Sequence, residues 1–456
     1  MADFDNDGSL DAAFANGAGG VAVFRGPKFE GRTALSVSAY AVGLAAGDYD
    51  GDGNIDLFVA GVHQDYLFHN NGKMQFRDVT KVAGLPSPGK PWSVAGGWFD
   101  YDRDGKLDLF VVRYVEWDPA KERFCGDPAR KLRQYCHPRF YAAQANMLYR
   151  NRGDGTFEDV SSRTGIAAHK GKGMSLAFLD FDDDGWTDVF VTNDTEPSFL
   201  FRNVEGKRFE ESALLAGVAL PDAGKPVSAM GAAAADFDGD GREDIAYTAL
   251  MGETFPVFFG SGKGLFTDRT FAWRLGALTR TRSGWSILAG DFDNDGRTDL
   301  FTANGDVNDN AEAFGKGASK QPNLVLRNAG GRFEATDVGA PAFHRGAATG
   351  DLNKDGALDV VVSRLGESPI VIWGAAPKEN GWLRVSAPLG TRVRLAGRKD
   401  AFRVESACGY VSSCEPVAHI GLGAAKGPFT ITMTPPFGAA RTVTAPEARV
   451  TIAYRE

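Results

Sequence analysis

An all-β protein built from seven repeats and followed by a smaller β domain is the architecture this sequence predicts. The first observation is a nine-residue phrase, Asp-x-Asp-x-Asp-Gly-x-x-Asp, which begins at Asp3, Asp48, Asp100, Asp180, Asp236, Asp291 and Asp351. The second is a companion phrase: Leu67–Gly72 before Phe76, Leu148–Gly153 before Phe157, Leu200–Asn203 before Phe209, and Leu326–Gly331 before Phe333. Its Asn/Gly turn between apolar runs is hairpin chemistry. The third is composition, with 57 Gly and 32 Phe against 7 Met, which suits a turn-rich β chain. Each period therefore reads as four strands. Strand A enters the acidic loop, strand B leaves it, and C and D form the hairpin. Four strands repeated radially make a propeller blade, so residues 1–376 are expected to form seven blades.

The acidic phrase carries the clearest chemistry. Three carboxylates at alternate positions converge if the chain curls, Gly at the sixth position supplies the sharp turn, and the ninth residue closes the cage. A hard divalent cation with oxygen ligands needs this arrangement, and Ca²⁺, with its large flexible shell, fits better than Mg²⁺. Up to seven Ca²⁺ ions are expected. The ligand sets are Asp3, Asp5, Asp7 and Asp11; Asp48, Asp50, Asp52 and Asp56; Asp100, Asp102, Asp104 and Asp108; Asp180, Asp182, Asp184 and Asp188; Asp236, Asp238, Asp240 and Asp244; Asp291, Asp293, Asp295 and Asp299; and Asp351, Asn353, Asp355 and Asp359. A lone copy would pass for an acidic turn; seven copies in phase do not. The formal charge of −9 is thus concentrated in these loops, and filling them would turn the balance mildly positive.

The A strands are rich in small residues, such as Ala45–Gly47, Ala95–Gly97 and Ala232–Ala235, as expected of strands crowding a propeller axis. Two periods carry long insertions between B and C, one from Arg113 to about Asn146 and one from Asn304 to Pro322. Loops of this length in a compact repeat are commonly functional. The repeat grammar stops near Ala375. Residues 377–456 then alternate in short strands, around Trp382, Arg392, Phe402, Phe429 and Val450, and read as a small β-sandwich or barrel closed by Cys408 and Cys414. The other cysteines are Cys125 and Cys136. Two short-range pairs without Cys-x-x-Cys spacing point to disulfides and an oxidising compartment. The chain opens on Met1-Ala2-Asp3 with no strand ahead of its first loop; we read this as a truncation that would also have removed a signal. No run of about 18 apolar residues occurs, so membrane insertion is not expected.

The loops with their Phe-Arg-Asn hairpins resemble the FG-GAP/VCBS repeats of integrin α-subunit propellers. The tail is similar to the ASPIC/UnbV domain of the cartilage acidic protein family and its bacterial homologues. That second resemblance rests on Cys408–Ser413 (Cys-Gly-Tyr-Val-Ser-Ser), His419–Gly423 (His-Ile-Gly-Leu-Gly) and Pro435–Gly438. The family commonly has Trp-Pro-x-Gly where Pro435–Gly438 stands here, and Pro388–Arg392 replaces its Asn-Arg-rich segment. The resemblance implies an extracellular or periplasmic Ca²⁺-binding propeller that acts as a binding module.

With one face given to metal, the opposite face is expected to hold the ligand. Its loops carry Lys90, Trp92, Lys172, Lys225, Arg282, His344 and Arg345, each shortly before an inner strand and expected to converge on the channel mouth. The Cys125–Cys136 insertion adds Trp117 and Tyr135. Cations beside aromatics suit an anionic or sugar-like partner, a protein or a glycan, and no nucleic acid is expected. The alternative is a calcium-dependent enzyme, akin to propeller polysaccharide lyases and dehydratases or accessory to secondary-metabolite biosynthesis. A basic, aromatic pocket on the axis would favour it. The six His are scattered, and no His-Glu-x-x-His or Gly-x-Ser-x-Gly motif occurs.

Overall fold

The computed structural model describes residues 1–85 and 90–454. Among the described residues, seven sheets of three or four strands follow one another along the first 372 residues, beside two short two-stranded ones. Five have four antiparallel strands in the order A-B-C-D, with A strands Tyr40–Gly47, Ser93–Phe99, Gly173–Leu179, Ala232–Ala235 and Gly284–Gly290. The first sheet has three strands, Ala12–Ala15, Val21–Arg25 and Glu30–Leu35, all after its acidic loop; Ala2 bridges Asp11 across that loop. The seventh has three, His344–Gly350, Asp359–Arg364 and Glu367–Ile372.

Successive inner strands pack side by side, and Met1, Leu10, Leu352 and Val361 join the first sheet to the seventh. The result is a β-propeller. Small residues on the A strands are required by contact. A Cβ on Gly97 would lie 2.8 Å from Leu176 and Phe178, and one on Gly47 would lie 2.6 Å from Trp98. Between sheets the core is aromatic and aliphatic, as where Phe99 stacks on Phe178 with centroids 4.5 Å apart.

Residues 381–453 fold as two sheets packed face to face. One is Val417–Gly423, Gly381–Ser386 and Val450–Ala453; the other is Ala401–Arg403, Arg392–Leu395, Phe429–Thr434 and Arg441–Ala445. Leu383, Val385, Val393, Ile420, Ile431 and Met433 fill the space between them, as the alternation predicts. Cys408–Cys414 does not close this sandwich, as the sequence reading expected. It ties a hairpin that leaves the sandwich and runs into the channel of the propeller. There Val411 O accepts from Leu44 N–H (3.1 Å), Ser413 Oγ accepts from Ala46 N–H (3.2 Å), and Glu415 N–H donates to Thr349 O (3.2 Å). Ser175 Oγ donates to Gly409 O, and Tyr410 N–H donates to Ser286 Oγ (3.0 Å). Inner strands from sheets 2, 4, 6 and 7 thus grip one hairpin. Its tip, Tyr410, reaches Trp285 (centroids 5.0 Å apart) at the far end.

Candidate metal centres and the opposite face

Each acidic loop is one turn built the same way. The residue before position one pairs with position nine in the A–B ladder, as Gly47 with Asp56 and Leu179 with Asp188. Two residues per loop are left-handed. Position four has φ near 60–75° (Asn6 59°, Gly51 73°, Asn294 57°), and the position-six Gly lies at 82–95°. At Gly53 a Cβ would meet nothing within 4 Å, so backbone conformation and not space demands glycine there.

The position-one carboxylate accepts backbone N–H groups of its own turn: Asp48 takes Gly51 (2.8 Å) and Gly53 (2.9 Å). The position-nine carboxylate is buried in all seven loops. It accepts the N–H of position two and of a C-strand residue, as Asp56 does from Tyr49 (3.3 Å) and Asn70 (2.8 Å). In the first four loops, positions one, three and nine each bring a ligand atom within 4.8 Å of the other two. The position-five carboxylate is partly engaged elsewhere: Asp52 accepts Asn54 N–H (2.8 Å), and Asp104 takes Lys106 (2.9 Å) and Arg150 (3.1 Å).

Burial pushes the position-nine carboxyls up, to about 8 for Asp56 and Asp299 and about 9 for Asp244, with the other loop carboxylates adding repulsion. Oδ1 of Asp5, Asp102, Asp180 and Asp351 is buried without a hydrogen-bond partner. Stranded anionic oxygens facing one another are the donor set a hard cation takes, so the residues fit Ca²⁺.

Two residues of the hairpin phrase were read only as turn chemistry, and both do more. The basic residue before the Asn sits on the rim of its own loop: Arg150 on Asp102 (2.6 Å), Arg202 on Asp184 (3.0 Å) and His69 beside Asp50 (3.2 Å); in the first sheet Arg25, which precedes Gly26, reaches Asp5 (2.6 Å). The Asn is a staple between sheets. Its Nδ2 donates to the position-two carbonyl of the preceding sheet: Asn70 to Phe4 (2.8 Å), Asn151 to Tyr49 (2.7 Å), Asn203 to Tyr101 (2.9 Å) and Asn328 to Phe237 (2.7 Å). The recurrence of Asn five or six residues before the Phe was the available signal.

The sandwich covers loops four to seven. Arg392 reaches Asp183 (3.0 Å) and Gly241 O (2.9 Å), and His419 meets Asn294 Oδ1 (2.7 Å). Arg384 lies 3.4 Å from Asp351 and also pairs with Glu415. Arg403 forks onto Glu243 at 2.9 and 2.8 Å, and Glu243 also accepts Asp180 N–H (2.8 Å). A Cβ on Gly421 would fall 1.7 Å from Asp291 Oδ2. Beside this junction lies a cavity of about 180 Å³, lined by Ala232–Ala235, Ile287, Leu288 and Glu405. Burial lifts the Glu405 carboxyl to about 8, and neither of its oxygens has a hydrogen-bond partner.

On the opposite face, several residues singled out as ligand contacts are already neutralised. Lys90 pairs with Asp118 (2.6 Å), Lys172 is buried against Glu196 (2.7 Å), and Arg282 pairs with Asp337 (2.7 Å). His344 is fully buried, its Nδ1 3.0 Å from Asn304 O and 3.1 Å from Gln321 O, and burial lowers its pKa. It presents nothing to a ligand, because the first A-strand residue turns inward. Arg345 lies 4.1 Å over Trp285 and donates to His344 O and Asp306 O. Burial brings Arg345 down to about 10. Lys225 is exposed.

Trp92 packs on Tyr114 and Trp117, with centroids 5.5 and 5.7 Å away. Tyr135 is 72% exposed. The residues do not surround an open mouth, because Tyr410 stops it from below. Both disulfides are formed. The two insertions meet above: Tyr135 N–H donates to Asn308 Oδ1 (3.0 Å) and Asn310 Nδ2 donates to Arg133 O (2.9 Å).

These features define a class, the FG-GAP repeat proteins. The chain belongs to it: the FG-GAP-like repeat model matches residues 3–59, 48–111, 140–191 and 180–247, and the FG-GAP repeat model matches 283–318. More particularly, the chain is similar to cartilage acidic protein 1. It is 26% identical to the Mus musculus protein over 420 residues, covering 84% of this chain and 59% of that one. It is 26% identical to the Xenopus tropicalis protein over 473 residues (93% and 68%) and 27% identical to the Homo sapiens protein over 420 (84% and 58%). The chain thus spans about three-fifths of the mouse and human proteins.

Among solved structures it is similar to an Agrocybe aegerita lectin that recognises non-reducing terminal N-acetylglucosamine (TM-score 0.47, 18% identity, 78% of this chain and 84% of that one). A rhamnogalacturonan lyase aligns with TM-score 0.41 and 13% identity over 82% of this chain and 71% of that one.

Proposed function

We propose that this protein is a seven-bladed, calcium-binding propeller, residues 1–376, with an ASPIC/UnbV-like domain at 377–456. In this reading it works in an extracellular or periplasmic compartment as a binding module for a protein or glycan, held on the face opposite the acidic loops. The observation that carries the metal reading is the set of buried position-nine carboxylates facing partnerless carboxylate oxygens. Both disulfides support the compartment. The two insertions joined over the opposite face support a built recognition surface there. The axis, where the enzyme reading would place a pocket, holds the Cys408–Cys414 hairpin. Among the described residues no helix is long and apolar enough to cross a membrane.

Metal is the testable core of this reading. Ca²⁺ at a hundredfold excess over Kd contributes about 2.7 kcal/mol per site. Thermal melts with excess chelator should therefore lie well below melts in millimolar Ca²⁺, and calorimetry should count several sites. A melting temperature indifferent to chelator overturns the proposal.

A further inference from the structure

Most of the unpaired cations on the opposite face are gathered on the Cys125–Cys136 insertion, with Lys225 and Lys316 lying apart from it. Among the described residues, Lys121, Arg123, Arg130, Lys131 and Arg139 are exposed and make no ion pair, whereas Lys90, Lys172 and Arg282 are paired. Arg123 and Arg139 both stack on Phe140, their Cζ atoms 4.6 and 4.9 Å from the ring centroid. Phe124 (52%) and Phe140 (41%) are exposed beside them. Contact with the ring restrains each exposed guanidinium, whose fork of donors takes planar or tetrahedral anionic groups two bonds at a time. The disulfide and the bonds from Tyr135 and Asn310 hold the segment in place before any ligand arrives.

We propose that this insertion is the contact surface for a linear polyanionic glycan, its anionic groups sulfates or uronate carboxylates. The inference rests on the binding-module reading and gives it a ligand class and an address. A stiff sugar chain carries charges at fixed spacing and loses little freedom on binding, unlike a flexible acidic peptide. Guanidinium groups already stack on Phe140, which makes it a poor platform for nucleobases. Exposed Phe124 offers an apolar face to sugar C–H groups.

The test uses the full chain in saturating Ca²⁺, titrated with a sulfated hexasaccharide and with a hexameric oligogalacturonate at about 50 and about 200 mM salt. At least one should bind, more weakly at the higher salt, since ion release accompanies charge pairing. Which one binds identifies the anionic group. Arg123→Ala/Arg130→Ala/Arg139→Ala should weaken binding at least about tenfold and flatten the salt dependence. Melting temperature and the disulfide mass signature check that the variant is folded.

An equal charge loss elsewhere, Arg32→Ala/Lys263→Ala/Lys426→Ala, should change little. Absence of binding to either glycan at low salt overturns the proposal, as do equal losses in both variants or equal affinity for polyglutamate or single-stranded DNA. Binding that survives the insertion variant, with exchange protection elsewhere on the same face, overturns this inference alone. Protection confined to the acidic-loop face overturns the binding-face reading with it.

Discussion

Replacing Arg403 by Met tests how the sandwich is held to the propeller. Arg403 and Glu243 are each about nine-tenths buried and share two hydrogen bonds of 2.9 and 2.8 Å. The guanidinium holds the Glu243 carboxyl below its usual range despite burial. Without Arg403, Glu243 keeps the Asp180 N–H and only the weaker pull of Arg392. Removing one member of a buried pair costs about 3–5 kcal/mol, because the other is left charged and unpaired. Replacing both members, Arg403→Met with Glu243→Leu, removes the stranded charge and should recover most of the loss, to within about 1 kcal/mol of the parent. Urea unfolding in saturating Ca²⁺, followed by tryptophan fluorescence, measures all three variants. A single-variant loss under about 1 kcal/mol, or a double variant as unstable as the two singles combined, would refute the reasoning.

The pH dependence without calcium has a definite sign. The folded state holds protons on Asp56, Asp244 and Asp299 up to about 8, 9 and 8, while the unfolded chain releases them near the ordinary carboxyl value. More protons are then bound folded than unfolded, so stability falls as pH rises across that window. Melts in chelator should be higher at about pH 5.5 than at about pH 8, and saturating Ca²⁺, which competes with those protons, should reverse the order. A pH-independent melt in chelator contradicts this. Asn203→Ala removes donors to Tyr101 O (2.9 Å) and Thr187 O (3.2 Å) and an acceptor for Gly206 N–H (2.9 Å). Stranding these groups should cost roughly 3 kcal/mol in urea unfolding, whereas Leu214→Ala, at an exposed position, should stay within about 0.5 kcal/mol.

What could be read from the sequence was what lies close in the sequence. The nine residues of an acidic loop contain most of their own geometry, so the convergence of Asp100, Asp102 and Asp108 was legible from spacing alone. The propeller followed from repetition. The role of Asn203 was half visible: its phrase recurs, but its partner carbonyl is 102 residues away. Lys172 looked like a free surface charge because Glu196, which neutralises it, arrives from the next loop. Arg403 and Glu243, 160 residues apart, each resemble an ordinary exposed residue until the sandwich docks. Charge on a loop is a property of composition, and whether that charge is free is a property of packing.

The hairpin at 407–414 gives the molecule an order of assembly. In a chain made from its N-terminus, the residues of all seven sheets are synthesised before this segment. Until it arrives, the centre of the ring has walls and no filling. Leu44, Ser175, Ser286 and Leu288 face a bore with no partner of their own. The ring is then a hub waiting for its axle. The axle comes from the last fifth of the chain, fastened across a seven-residue span by its own sulfur bridge. Anything that delays the closing residues leaves a nearly complete wheel with an apolar hole, the species a folding compartment would have to shield.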